Sequence, residues 1–204
     1  MSGSSVPTSA SSPVKAGVPL ALTLRVFQIG ESCTPLAGAT VDVWHCDAQG
    51  DYSDVTDRTE GFDTVGQTWL RGYQVTDENG EVTFKTIYPG WYRGRAVHIH
   101  FKVRTSTSAG ANYEFTSQLY FDDALSDRVF KQEPYVTGEA REILNANDMI
   151  FSDGGDQLLL ALTESGAGLR RHVRPWARPH GRGHGRVRRR PGLPWWSGQQ
   201  LAAT

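Results

Sequence analysis

The chain has 204 residues, of which 38% are hydrophobic and 21% charged, with a formal net charge of −1. That length suits one domain with a sizeable core and ragged ends, not two full domains. No apolar run approaches the ~20 residues that span a bilayer, so a soluble protein with no membrane partner is expected.

Residues 1–17, MSGSSVPTSASSPVKAG, lack the apolar stretch of a signal peptide and have the Ser/Pro/Thr/Ala make-up of a flexible leader. Val18–Ile29 then alternates, with Leu20, Leu22, Leu24 and Val26 on one face, which predicts a strand. Cys33 and Cys46 bracket a turn and a second predicted strand, Thr40–Cys46. That placement is compatible with a disulfide closing a loop of about 14 residues and adding roughly 3 kcal/mol. A bridge would favour an extracellular protein, and two buried free thiols are the alternative. Asp47–Gly72 is long and polar, the kind of segment that carries function or flexibility. Asp77-Glu78-Asn79-Gly80 is a turn signal ahead of a strand over Glu81–Ile87. Further strands are predicted at Ala96–Val103, Glu114–Phe121 and Gln157–Thr163, and a short helix at Thr137–Ala146. Six or more short strands with turn signals predict an all-β fold, an antiparallel β-sandwich with long functional loops, over residues 18–165.

Residues 166–204 are a different object. Nine Arg and no acidic residue lie there, leaving 12 basic against 22 acidic groups in residues 1–165. Arg with interspersed Trp is compatible with nucleic-acid binding. The abrupt loss of every acidic residue after a good strand favours a disordered or non-native extension, and disfavours nucleic acid as a partner.

His98 and His100 are the residues most suggestive of chemistry. Two apart on a strand, they project from one face about 7 Å apart along it. Alone, such a pair is as compatible with a solvated sheet face as with a metal site. Tyr92 and Arg95 lie just upstream, and Tyr52 stands in the loop after Thr40–Cys46, where a rigid scaffold presents side chains. Phenolates are hard anionic donors. With two imidazoles they suit a trivalent metal, iron before copper or zinc.

Val41-Asp42-Val43-Trp44-His45-Cys46 leading to Gly50-Asp51-Tyr52 resembles the first-ligand region of the intradiol ring-cleavage dioxygenases. Tyr88-Pro89-Gly90-Trp91-Tyr92 followed by Arg95, His98 and His100 is similar to the second half of that family's site. Ser117-Gln118-Leu119-Tyr120-Phe121 resembles its Gln-x-Tyr-Phe strand. The likeness runs from about Pro19 to Thr163. It implies Fe(III) held by Tyr52, Tyr92, His98 and His100, with Tyr92 the ligand displaced by substrate. It further implies Arg95 and Gln118 beside the substrate, and cleavage of a catechol between its hydroxyls by O2 to a cis,cis-muconate-type diacid. The partners implied are a small aromatic diol and O2, with a homodimer left open. Tyr88 competes with Tyr92 but is better placed to pack in the turn, and His45, on the opposite strand face from Trp44, reads as structural. The pattern departs from the family in lacking its Glu-Gly-Pro-Tyr segment before the first core strand. The short Tyr92–His98 connection and the cysteine pair look like a small secreted branch. A non-catalytic β-sandwich binding module is the alternative function, since a fold alone does not confer activity.

Overall fold

The computed structural model describes residues 15–29, 33–58, 61–106, 110, 112–136, 138–165, 168–171 and 200–203. The leader before residue 15 and most of the basic tail lie outside them.

Alternation along the first strand sets the architecture. β1 (Pro19–Ile29) buries Leu20, Leu22, Leu24 and Val26. Its length lets it pair with several partners: β2 (Cys33–Pro35) along its second half and, further on in sequence, β7 (Glu81–Ile87) from Pro19 to Arg25. The opposing sheet is built on β3 (Thr40–Trp44). A hairpin of very short strands follows, β4 (Thr56–Asp57) with β5 (Phe62–Asp63). β6 (Arg71–Val75) forms one edge beside β3, whose other side pairs with β8 (His98–Ser106) and then β9 (Asn112–Tyr120), giving the order β6-β3-β8-β9. Between the two sheets Leu20, Leu22, Leu24, Val41, Val43, Phe84, Ile99, Phe101 and Val103 form one continuous core, the all-β sandwich predicted.

The sequence misplaces several elements. Among the described residues no helix spans 138–146; a single 3-10 turn occupies Asn145–Asn147. The helix, α1, is Asp123–Val129, and Asp122 caps it by accepting from the Leu125 N–H. With only seven residues it has too few turns to show apolar periodicity, and the Asp-Asp start was its one signal. Gln157–Thr163 divides into a 3-10 turn at Gly155–Leu158 and β10 at Leu162–Ser165. β10 pairs with β11 (Gly168–Arg171), which runs parallel to β1 and buries Leu169. The sheet therefore continues past residue 165 into the basic segment. Gln200–Ala203 forms β12, antiparallel to the end of β1.

The disulfide is not formed. Both cysteines are free, Cys33 exposed on β2 and Cys46 buried. The Cys46 thiol points inward and donates to the Gly90 carbonyl at 3.5 Å, while Cys33 belongs to the opposite sheet. The bridge that favoured an oxidising compartment is thus absent.

His45, beside Cys46, ties the sheets together as a structural residue. Its Nδ1–H donates to the Cys46 carbonyl at 2.8 Å, and its Nε2 accepts from the Thr86 hydroxyl of β7 at 2.7 Å. Burial, partly opposed by the bond to the Cys46 carbonyl, pulls its pKa down to about 4. The folded state thus takes up a proton on His45 less readily than the unfolded chain does. Stability is expected to fall as pH drops from about 6.5 to 4, with a contribution of about 3 kcal/mol from this residue and no further loss below. Urea midpoints of the metal-free protein at pH 7 and pH 4 check this. His45→Gln should lower the midpoint at pH 7 and shrink the difference between the two pH values.

Candidate metal centre

The outer face of the second sheet, away from the core, carries the site. Register puts Trp44 of β3, His100 of β8 and Gln118 of β9 in one row across three strands. Strand alternation sends Ile99 and Phe101 into the core and leaves His98 and His100 on the outer face. The Trp44 and His100 rings stack in parallel, with centroids 4.9 Å apart.

Two loops bring the tyrosines over this row. After β3 the chain turns on Asp47, whose Oδ1 accepts from the N–H groups of Gln49 and Asp51 and whose carbonyl accepts from those of Gly50 and Gly90. Lys15 pins the turn from the N-terminal side. Its Nζ donates to Asp47 Oδ2 at 2.8 Å and lies 3.8 Å from the Trp69 ring centroid, so the end of the expected flexible leader is packed. After β7 the segment Tyr88–Tyr92 crosses the same turn, backbone against backbone. A Cβ on Gly90 would collide with the Asp47 carbonyl oxygen, and one on Gly50 would collide with that of Trp91. Only glycine permits either approach.

Four side chains then converge on one point. His98 Nε2 lies 3.1 Å from His100 Nε2, 3.3 Å from the Tyr92 hydroxyl and 3.5 Å from the Tyr52 hydroxyl. The Tyr52 and Tyr92 rings meet edge to face at 5.6 Å. His98 Nδ1–H donates to the Ala96 carbonyl at 2.7 Å, which fixes the tautomer and leaves the Nε2 lone pair facing the other three groups. Burial first, then neighbouring positive groups including Arg95, lower the pKa of His98 to about 4 and of His100 to about 3, so both are neutral at pH 7. Burial raises both tyrosine pKa values above the ordinary range, partly offset by Arg95.

Two neutral imidazoles and two phenols make a donor set that fits a hard trivalent cation. Among the described residues no cluster of three or more His, Cys, Asp or Glu forms, so any metal here depends on the two phenol oxygens. Metal binding would release both phenol protons, and affinity would therefore rise with pH.

Arg95 reaches the centre from the loop before β8. Its Nη2 donates to Gln118 Oε1 at 2.5 Å and its Nε to Asp148 Oδ2 at 2.9 Å. Tyr120 also donates to Gln118 Oε1, at 2.8 Å, and the Gln118 amide nitrogen lies 3.3 Å from His100 Nδ1. Tyr52, Tyr92, His98, His100, Arg95 and Gln118, the six residues singled out in the sequence, are brought together. Tyr88 is not among them: it is fully buried, and its hydroxyl bonds Ser126 at 2.7 Å. Arg71 is engaged with Ser53, Arg93 pairs with Glu139, and Trp91 packs against the core. Asp148 and Trp44 went unrecognised. Asp148 lies in a loop with no motif around it. Trp44, however, falls on the same sheet face as His100 by alternation and register.

The family model described as Dioxygenase matches residues 6–163, and the chain belongs to the intradiol ring-cleavage dioxygenase family. Among solved structures it is similar to the intradiol ring-cleavage dioxygenase from Tetranychus urticae, at 28% identity and TM-score 0.63, covering 78% of this chain and 80% of that one. It is also similar to the dioxygenase domain of a dioxygenase–carbohydrate-binding protein fusion from Streptomyces sp. SirexAA-E, at 29% identity and TM-score 0.50, covering 80% of each chain. The chlorocatechol 1,2-dioxygenase of Pseudomonas sp. (strain P51) is 30% identical over 106 residues, which span 43% of this chain and 38% of that enzyme.

Proposed function

We propose that this protein is a non-haem Fe(III) dioxygenase. It would cleave catechol-type rings between their hydroxyls, with both atoms of O2 entering a cis,cis-muconate-type diacid. The observation that carries this is the convergence of two phenol oxygens and two imidazole nitrogens with Arg95 beside them. Tyr52, Tyr92, His98 and His100 would hold the ion, which supplies Lewis acidity and a chelating position for the two catechol oxygens. Tyr92 would be the ligand that gives way to substrate, and its phenolate oxygen would then be placed to accept a catechol proton. Arg95 places a permanent positive charge where negative charge gathers on the substrate ring as O2 attacks. Gln118, braced by Tyr120, keeps the Arg95 guanidinium turned toward the centre.

The test is optical. Ferric tyrosinate has a visible charge-transfer band, so iron-loaded protein should be red to burgundy and should change colour on adding catechol, with O2 uptake. Protein that stays colourless after iron loading would overturn the proposal in favour of a binding module.

A cavity of about 250 Å³ opens beside His100, lined by Thr116, Ser117, Gln118, Tyr120, Ile150 and Leu158. Among the described residues Asp153 is the one acidic side chain in its wall, and no Lys or Arg lines it to pair with a ring carboxylate. If the ring enters here, repulsion of about 1 kcal/mol or more makes kcat/KM for catechol at least several-fold higher than for protocatechuate. Oxygen-uptake kinetics should show that gap, narrowed by Asp153→Asn. Equal values for the two substrates would exclude this entry side.

A further inference from the structure

We propose that Asp148 is the positioning residue of the site, one carboxylate that orients both Arg95 and His98. Its role toward the reaction rests on the dioxygenase reading; its role toward Arg95 does not. The Asp148 side chain is 0% exposed, although its loop is otherwise largely at the surface, with Met149 82% exposed. The two carboxylate oxygens have separate tasks. Oδ1 accepts from the N–H groups of Ile150 and Phe151 at 2.8 and 2.9 Å, which fixes the carboxylate to its own loop. Oδ2 accepts from Arg95 Nε at 2.9 Å and from the Ala96 N–H at 2.8 Å, and so reaches across to the segment that leads into β8.

From there two chains run to the chemistry. In the first, the guanidinium gripped at Nε turns its Nη2 to Gln118, so its plane is set from two sides. A long Arg side chain held in this way loses its rotamer freedom before substrate arrives, which is what electrostatic assistance to a reaction requires. In the second, the Ala96 residue held by Asp148 through its N–H offers its carbonyl to His98 Nδ1, so the carboxylate fixes the partner that fixes the imidazole. The loop is itself anchored. Phe151 meets Tyr120 edge to face at 5.0 Å, and Gly155 leaves room for that contact, since a Cβ there would lie 2.6 Å from the Phe151 ring. Burial opposes the charge on Asp148, but the donors around it outweigh that and hold its pKa at about 2, so the carboxylate is ionised across the working range.

Asp148→Asn separates the two tasks. An amide can still accept from Ile150 and Phe151 through its oxygen, but its NH2 then faces two donors, Arg95 Nε–H and the Ala96 N–H. The loop should hold while the grip on Arg95 fails. In the iron-free protein, the Arg95 Nε–H NMR resonance should be protected from solvent exchange in the wild type and exchange at least tenfold faster in Asp148→Asn. Resistance of residues 144–155 to proteolysis should change little, while the thermal midpoint falls because a buried ion pair is lost. In the iron-loaded protein kcat for catechol should fall tenfold to a hundredfold with a much smaller change in KM, the scale typical of losing an outer partner. Arg95→Gln should add little to Asp148→Asn. Unchanged Arg95 exchange in Asp148→Asn would overturn the assignment, as would fully independent losses from the two substitutions. If the variant unfolds, Asp148→Glu, which keeps the charge, provides the second reading: restored Arg95 protection supports the assignment, and fast exchange in a folded Glu variant counts against it. A wild type that takes up no O2 would defeat the dioxygenase reading, while the exchange measurement still decides the role toward Arg95.

Discussion

Gly90→Ala is expected to disable the centre while leaving both tyrosines and both histidines in the sequence. Its new methyl would run into the Asp47 carbonyl oxygen and lie 2.7 Å from that of Ala48. Both obstacles are backbone, so no rotamer change relieves them. The Gly90 N–H, which bonds Asp47 at 2.9 Å, must also move away. Overpacking of this kind costs roughly 1–3 kcal/mol and more where the neighbour is rigid. The larger effect is geometric. The two loops carry one tyrosine each, and separating them by an ångström removes Tyr52 from the reach of Tyr92 and His98. The thermal midpoint should drop by several degrees, and the charge-transfer band should be lost or strongly weakened at equal iron concentration. Gly72→Ala on the edge strand β6, where a Cβ meets nothing within 4 Å, is the control and should alter neither. A Gly90→Ala protein with a full-strength band would show that the backbone contact between the loops does not set the tyrosine positions.

His98→Ala is expected to abolish iron retention outright. The other three donors lie 3.1 to 3.5 Å from His98 Nε2, and the orientation of that ring is set in advance by the bond to Ala96. Loss of a ligand exceeds the roughly 10–100-fold weakening that follows loss of an outer partner. Iron content after gel filtration and the visible band report it directly. Tyr92→Phe should weaken the band and Tyr88→Phe should leave it nearly unchanged, because the Tyr88 hydroxyl is engaged with Ser126 in the core. Retention of stoichiometric iron by the His98→Ala protein would exclude the four-ligand centre.

Much of this was legible in the residues themselves. Period-two alternation from Leu20 to Val26 identified the buried face of β1, and the same rule placed His98 and His100 together. The resemblance supplied Tyr52, which periodicity cannot connect to a histidine 46 residues away. What the sequence did not disclose arises from long-range contact. β6 lay hidden at the end of a polar stretch because an edge strand exposed on one side needs few apolar residues, and Tyr73 and Val75 are indeed exposed. Cys33 and Cys46 are close enough in sequence for a bridge, yet Cys33 is exposed on β2 while Cys46 is buried in the loop after β3. Asp148 has no local signature, since its partners Arg95 and Ala96 lie 53 and 52 residues upstream. Pro89-Gly90 read as a turn and as part of the motif around Tyr92, whereas its glycine is needed for the close approach to Asp47.

Division of labour along β8 has a consequence for how the molecule is made. Ile99, Phe101 and Val103 serve the core while His98 and His100 serve the centre, in strict alternation. A one-residue slip against β3 or β9 would exchange the two sets, turning the apolar residues toward the site face and the imidazoles into the core. A chain that pairs its strands wrongly therefore cannot assemble the cluster of two imidazoles and two phenols. Colour developed on adding iron to refolded protein would count the molecules in correct register, making the centre a quality gauge for its own folding.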